Sequence, residues 1–565
     1  MKGCKFTRCI SISDNARRHN RVVRLKLTTV LPVIFLFVFN SSALQANPKL
    51  IVIISVDQLR RDRVTDDLPG ALGMLSRQGR VFVDSELNHA ITSTCPGHSV
   101  LVTGVTPGRA GIPGNTFVDQ QTFQERYCVD DENNAHQVID SDHNRSPVNL
   151  RASTFGDWLK DRYPQSRVFS VGGKDRAVIT MGGHKADGVF WYNQSNGKFT
   201  SSGYYMKSLP GYIDKFNGTD PVVDGHLRDI PGTWVHPAGT YRQDDYDGES
   251  SLFDRSSGHP LKDGDGDTVF NRIYRSPVID TQTIKLANII IREESLGEGE
   301  NPDLLLLALS ATDTVGHLYG PRSSEAEATL DNVDNILNEL IAGLEKKLGL
   351  GNVLVVLTAD HGVAELPEYM TENGSNSCPS QGRLSFVPII GQIYWSIYRD
   401  YTHPFDMPGE LVKFTGQQLT LSREYLAENM LDPAQVLATL NEALTGINIV
   451  KRTWTQQQIR AGKGKVAALL RNSLTHDRSG DLTIQLHPDC VLTIGGGTTH
   501  GSVYDYDRNV PLIFYGWGVQ AAKVSGTAHT IDTGPTLANH IGIAAPPDLD
   551  GKPLDLLSTS DENDR

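Results

Sequence analysis

The chain has 565 residues and a formal charge of −13 at neutral pH. Its length is ample for several domains. The acidic balance, with no basic run interleaved with aromatics, excludes a nucleic-acid partner, so any attraction for an anionic ligand must be local.

The first 46 residues read as a signal peptide. Arg17, Arg18, Arg21, Arg24 and Lys26 precede an apolar stretch over 27–39, and small residues follow, giving cleavage after Ala43 or Ala46. The apolar core is short for a bilayer span, although an uncleaved anchor is the alternative. No Cys follows it, which argues against a lipoprotein, and the long basic lead leaves room for a start downstream of Met1. No later segment is apolar and long enough to span a membrane. Export places the protein in the periplasm or outside the cell.

Leu50-Ile51-Val52-Ile53-Ile54-Ser55-Val56 is a continuous apolar run that ends at Asp57-Gln58. Such runs belong to parallel sheets covered on both faces. Next comes His89-Ala90-Ile91-Thr92-Ser93-Thr94-Cys95-Pro96-Gly97-His98, followed by Gly111-Ile112-Pro113-Gly114-Asn115. Thr94 stands where strand-like sequence gives way to a helix-like run. A hydroxyl at a helix N-terminus sits in a positive field, which suits a nucleophile attacking an anion. Gly172-Gly173-Lys174-Asp175-Arg176 reads by itself as a solvated turn.

Residues 184–277 are rich in Gly, Asp, Ser and Tyr and lack long apolar runs, as expected of an insertion at the mouth of a site. Within them, Asp263-Gly264-Asp265-Gly266-Asp267 starts like a calcium loop. Thr268 and Tyr274 stand where that loop requires Gly and Glu, so a solvated turn is expected. The apolar run 304–309 ends at Ser310-Ala311-Thr312-Asp313, with His317 four residues on. Residues 323–348 carry Ile336, Leu337, Leu340, Ile341, Leu344 and Leu348 at helical spacing. Residues 353–358 form another apolar run, ending at Asp360-His361-Gly362. This helix-then-strand unit is of the doubly wound type. A second insertion, 365–489, contains an amphipathic helix around 433–444 and a strand over 481–486. Thr498-Thr499-His500-Gly501-Ser502 precedes a last strand-like run, 510–516, and the acidic tail 560–565 frays.

Each piece alone is ordinary, since Asp at a strand end commonly caps a helix or turns the chain. Together they supply three carboxylates and three imidazoles beyond strand ends, where open α/β sheets gather their sites. That set suffices for two metals with mixed O and N donors and suits Zn2+, with Mn2+ or Co2+ as substitutes. The pieces must converge from Asp57 to His500. The expectation is therefore one α/β catalytic domain over 47–565, a doubly wound, mostly parallel sheet flanked by helices, with the two insertions near the active-site mouth.

Val56-Asp57-Gln58, Thr94-Cys95-Pro96-Gly97-His98, Lys174-Asp175-Arg176, Asp313-x-x-x-His317, Asp360-His361-Gly362 and His500-Gly501-Ser502 together resemble the alkaline phosphatase superfamily. The resemblance is to the bacterial branch related to type I phosphodiesterase/nucleotide pyrophosphatase, whose phosphatases use a threonine nucleophile. It runs from about residue 50 to 554 and includes Ile531-Asp532-Thr533-Gly534-Pro535-Thr536-Leu537-Ala538 and Asp550-Gly551-Lys552-Pro553-Leu554. It implies that Asp313, His317 and His500 hold one zinc. It likewise implies that Asp57, Asp360 and His361, completed by the Thr94 hydroxyl, hold the other. Metal coordination activates a hydroxyl that is otherwise a poor nucleophile, and paired metals stabilise both attacking and leaving oxygens. The implied course is phosphate-monoester hydrolysis through phospho-Thr94, with a preference for alkaline pH.

Asn115, Lys174 and Arg176 decide the substrate class, because a monoester dianion carries charge on three non-bridging oxygens and rewards extra donors. Arg176 offers a planar fork and Lys174 a point charge. In the resembling family the Lys-x-Arg pair marks monoesterases, so small phosphate monoesters are the expected substrates. A phosphodiesterase or nucleotide pyrophosphatase with the same metals is the rival, and a catalytically idle metal-binding module is a rival from another class.

Cys95 stands where the family commonly has alanine. A sulfatase would need Cys-x-Pro-x-Arg, and Cys95-Pro96-Gly97-His98 lacks that spacing. Cys95 is expected to be small and buried beside Thr94, and the sequence leaves open whether it is reduced or bridged. Once Cys4 and Cys9 leave with the signal, Cys95, Cys128, Cys378 and Cys490 allow three full pairings.

Overall fold

All seven residues of Leu50–Val56 are fully buried, as a strand in the middle of a sheet must be. The structure, a computed structural model, describes residues 47–236, 243–251, 254–263, 266–380, 382–401, 408–493 and 495–558. The expected signal peptide and its cleavage site, Cys4, Cys9, the acidic tail, and Gly264 and Asp265 of the calcium-like run lie outside them. From Gly266 to Tyr274 the chain is helical.

The central sheet has nine strands: β1 (Leu50–Val56), β2 (Arg80–Phe82), β3 (Val168–Gly172), β4 (Gly188–Asn193), β5 (Lys198–Thr200), β6 (Asp303–Leu309), β7 (Val353–Thr358), β8 (Leu512–Gly516) and β9 (Ala522–Val524). Their order is β9-β2-β8-β7-β1-β6-β3-β4-β5. The inner five, β7-β1-β6-β3-β4, are parallel. β8 runs antiparallel to β7, and β5 antiparallel to β4.

Alternation along β1 divides its side chains between two cores. Leu50, Val52, Ile54 and Val56 join one, Ile51 and Ile53 the other. The helices that matter here are α1 (Thr94–Thr103), α2 (Asp175–Gly182), α3 (Val278–Glu293), α4 (Ala311–Tyr319) and α5 (Ser324–Leu348). α3 and α5 cover the first core, α1 and α2 the second. The Ser323 hydroxyl caps α5 by accepting the Ala326 N–H, as a helix beginning at this serine should. This is the mostly parallel α/β architecture anticipated from the apolar runs.

The first insertion needs a correction. β4 and β5 fall within 184–277 yet belong to the central sheet, so the chain leaves the sheet only after Thr200. Val189 and Trp191 pack into one core, Phe190 and Tyr192 into the other. The run is short and bounded by Gly, Asp and Asn, which hides it among turn-rich sequence. The second insertion holds its own antiparallel sheet, ordered Val412–Thr415, Gln418–Leu421, Leu482–Leu486, Val450–Thr455. Helices Phe386–Tyr401 and Pro433–Thr445 pack on it through Ile389, Ile393, Ile397, Val436 and Leu440. A Cys378–Cys490 disulfide ties its ends together. Among the described residues, no helix is long and apolar enough to cross a membrane.

Candidate active site

Sheet register brings the strand-end residues to one edge. Val56 pairs with Leu309, Ser55 with Thr358, and Gly172 with Ala308, so β1, β6, β7 and β3 finish nearly level. Asp57 follows β1 directly, Asp360 comes two residues after β7, Lys174 precedes α2, and Asp313 lies in the first turn of α4. His317, one turn further along α4, shares its face with Asp313. β8 is antiparallel and starts with Leu512 opposite Thr358, so the loop carrying His500 reaches the same edge.

Two groups of ligand-type atoms form there: Asp313, His317 and His500, and Asp57, Asp360 and His361. Within each, the atoms lie within 4.8 Å of one another. Asp313 Oδ1 is 3.2 Å from His317 Nε2 and 3.4 Å from His500 Nε2. His361 Nε2 is 3.5 Å from Asp57 Oδ1 and 3.3 Å from Asp360 Oδ2. The rings of His361 and His500 stack with centroids 3.7 Å apart.

Backbone carbonyls set the tautomers. Nδ1 of His317, His361 and His500 contacts the carbonyls of Thr498, Gly362 and Thr92 at 2.8, 3.0 and 2.7 Å. A carbonyl only accepts, so each Nδ1 carries the proton, and in the neutral ring Nε2 then presents a lone pair. Burial pushes the His361 pKa down to about 3, which keeps that ring neutral. Burial and the carboxylates of Asp313 and Asp360 raise Asp57. Burial also opposes charge on Asp360 and Asp313. His98 and Lys174 nevertheless hold the first low, and Lys174 the second.

Asp57 Oδ1, Asp360 Oδ2, His361 Nε2 and Thr94 Oγ1 are buried without a hydrogen-bond partner. Buried acceptors left in this way call for a cation. The donors are carboxylate oxygens and neutral imidazoles, a set that fits zinc.

Thr94 is the first residue of the buried helix α1, with Ser93 as its N-cap. Gly97 is what lets this turn approach β7: a Cβ there would lie 2.2 Å from the Asp360 carbonyl oxygen. Asn115 Oδ1 accepts the Cys95 N–H at 2.8 Å, which commits its oxygen and keeps its amide N–H groups as donors. Lys174 Nζ donates to Asp57 Oδ2 at 2.6 Å and also to Asp313 Oδ2, leaving the third of its three donors. Burial opposes its charge, but Asp313 and Asp57 raise its pKa above the ordinary lysine value. Arg176 Nη1 lies 3.4 Å from the Tyr127 hydroxyl, which itself donates to Asp175 Oδ1 at 2.6 Å. Lys174 and Arg176 line a cavity of about 240 Å3 with Trp191, Tyr192 and Tyr274.

Of the three full pairings the four cysteines allow, the structure has Cys95 with Cys128 and Cys378 with Cys490. Cys95 is fully buried as anticipated and is disulfide-bonded to Cys128. The hairpin of Thr116–Val118 and Glu125–Tyr127 folds Cys128 back, where its N–H donates to the Asn115 carbonyl at 2.8 Å. The bridge thus closes a loop joining the residue after Thr94 to the strand that seats Asn115. Cys128→Ser is expected to destabilise the protein by about 2–5 kcal/mol, checked by urea unfolding of wild type and variant.

Sequence reasoning assigned no role to three neighbours. Gln58, at φ 71°, donates its backbone N–H to Asp360 Oδ1 at 3.1 Å and its side-chain amide to Asp313 Oδ1 at 2.7 Å. His98 Nδ1 lies 3.2 Å from Asp360 Oδ2. Tyr127 touches Arg176. Gln58 and His98 stood inside the motifs, where position next to a ligand was the available signal; Tyr127 carried none beyond its place beside Cys128.

Fold and strand-end residues together define an alkaline phosphatase-like α/β protein. The chain belongs to the type I phosphodiesterase/nucleotide pyrophosphatase family, whose sequence model matches residues 51–506. It is 31% identical to alkaline phosphatase PhoK of a Sphingomonas species over 539 residues, 91% of this chain and 92% of that one. It is 30% identical to a protein named calcium-transporting ATPase from Myroides odoratus, covering 93% and 97% of the two chains. Alkaline phosphatase PafA of Elizabethkingia meningoseptica is 28% identical over 532 residues, covering 90% and 94%. A crystal structure of PafA superposes with a TM-score of 0.81, covering 90% of this chain and 98% of that one at 26% identity.

Proposed function

We propose that this chain is an exported alkaline phosphatase that hydrolyses small phosphate monoesters through a phospho-Thr94 intermediate at a two-zinc site. The observation that carries the reading is the convergence of an unpartnered, buried Thr94 hydroxyl with six ligand-type side chains and the Lys174 ammonium. The similarity to PhoK and PafA over nine-tenths of the chain supports the hydrolase class. A further PafA structure carries replacements of one threonine, one asparagine, one lysine and one arginine, the residue types of Thr94, Asn115, Lys174 and Arg176.

In this reading Asp313, His317 and His500 hold one zinc, and Asp57, Asp360, His361 and Thr94 the other. Bound zinc supplies Lewis-acid stabilisation of the attacking and leaving oxygens. The chain's residues do the rest. Thr94 Oγ1 attacks phosphorus from the N-terminus of α1, the bond to the ester oxygen breaks, and the alcohol leaves with a proton. Asn115, the free donor of Lys174 and the fork of Arg176 bind the non-bridging oxygens, where negative charge builds. Water then cleaves phospho-Thr94 and restores the hydroxyl.

The test is hydrolysis of p-nitrophenyl phosphate against bis-p-nitrophenyl phosphate by the mature protein, with zinc and after EDTA. The expected result is zinc-dependent turnover that favours the monoester. A preference for the diester would retain the site but transfer the protein to the diesterase side of its family. Turnover of neither substrate would leave only the fold and the ligand sets.

A further inference from the structure

A third cluster has the same geometry as the two strand-end groups and shares no residue with them. His236, His259 and Glu325 are all buried, and their ligand-type atoms also lie within 4.8 Å of one another. His259 is paired with Trp234 across the short hairpin Thr233–Trp234/His259–Pro260. Ser257 fastens the His236 backbone on the same hairpin, donating to its carbonyl at 2.8 Å and accepting its N–H at 3.0 Å. Glu325 comes from the first turn of α5.

The three distances are nearly equal. Glu325 Oε1 is 3.4 Å from His236 Nε2 and 3.3 Å from His259 Nε2, and the two nitrogens are 3.3 Å apart. Direct hydrogen bonds from imidazole to a carboxylate would close to about 2.7–2.9 Å. Three donors about 2.0–2.2 Å from one tetrahedral zinc stand about 3.3–3.6 Å apart, since they form edges of the same tetrahedron. The spacing matches the tetrahedron. It also matches the 3.2–3.5 Å separations in the Asp313 and His361 groups. Independently, Glu325 Oε1, one corner of this triangle, is buried with no hydrogen-bond partner.

We propose that His236, His259 and Glu325 bind a third divalent ion, zinc by donor type, which fastens the 233–260 hairpin to the start of α5. The fourth position is left to water, as in other sites with three protein ligands. A cavity of about 250 Å3 lined by Trp234, His259 and Tyr319 adjoins the cluster. Tyr319 ends α4, the helix that carries His317, and its ring centroid is 5.5 Å from that of His259. The ion therefore braces the segment beside the His317 helix.

The test is zinc content of the full chain after dialysis against trace zinc, read by mass spectrometry for wild type, His259→Ala and Glu325→Gln. Each variant is expected to hold one zinc fewer per chain than wild type. Because the readout is a difference, it stands whether or not the strand-end sites behave as proposed. Equal zinc content in wild type and both variants would overturn the inference. Should the variants fail to fold, anomalous scattering at the zinc edge from wild-type crystals decides. A peak between the three side chains supports the site, and its absence while other zinc peaks are present overturns it.

Discussion

Thr94→Ala is expected to lower monoester turnover by roughly four to six orders of magnitude, the range seen when a covalent nucleophile is removed. The same substitution should hardly disturb the fold. Thr94 Oγ1 is buried and makes no hydrogen bond, so its loss leaves no protein partner unsatisfied. The remaining change is about one buried methyl group, on the order of 1 kcal/mol. Asp57, Asp360 and His361 stay in place, so zinc content should fall little. Thr94→Ser keeps the hydroxyl and is expected to recover much of the activity. The measurements are kcat on p-nitrophenyl phosphate together with the melting temperature. Turnover within tenfold of wild type in Thr94→Ala would remove this residue from the chemistry.

Lys174→Ala is expected to have the next largest effect, and on two readouts. Lys174 is 2% exposed and its ammonium bridges Asp57 and Asp313, so its removal leaves two buried carboxylates without a shared cation. Breaking a buried ion pair from one side costs about 3–5 kcal/mol. The penalty should be larger in EDTA than in zinc, which a denaturation series in the two buffers would show. Loss of one preorganised donor lowers turnover by about 10²–10³-fold. That loss should fall on the monoester more than on the diester, whose phosphorus carries one charged oxygen fewer. Arg176→Ala should shift the ratio the same way. An unchanged monoester-to-diester ratio in both variants would refute the role given to the pair. The pKa of Lys174 is raised. Its stabilising charge is thus complete below the ordinary lysine value of about 10.4 and fades only as pH climbs through the higher folded value. Alkaline assay conditions therefore keep this cation.

Much of the site was legible because the core strands are so apolar. β1, β6 and β7 are dominated by Leu, Ile and Val, and the carboxylates that follow them stand out against that background. Ser323 and the spacing of Ile336, Leu340 and Leu344 marked α5 equally well. β4 was hidden because an edge-proximal strand of six residues between glycine and asparagine looks like loop. The antiparallel direction of β8 left no trace in its composition, yet it is what brings His500 to the edge. The pairing of Cys95 was not legible because its partner arrives through a hairpin whose closure depends on tertiary contacts. His236, His259 and Glu325 have no metal-motif spacing, and only the folding of a hairpin against α5 brings them together.

The Cys378–Cys490 bridge pinches the second insertion off as a cassette. Its two ends leave the α/β body with Cα atoms 5.1 Å apart, although 112 positions separate them in sequence. A gap of that width is spanned by about two residues of extended chain. The inserted sheet has its own core, and the cassette docks on the catalytic body where Trp454, Ile459 and Leu470 pack with Ala90. It is not inert cargo, because Phe414, Thr415, Gly416 and Gln417 face His500 across a cavity of about 380 Å3. Swapping the cassette would therefore recut one wall of the entrance while leaving the strand-end chemistry where it is, giving this scaffold a route to new substrates by recombination rather than by point substitution.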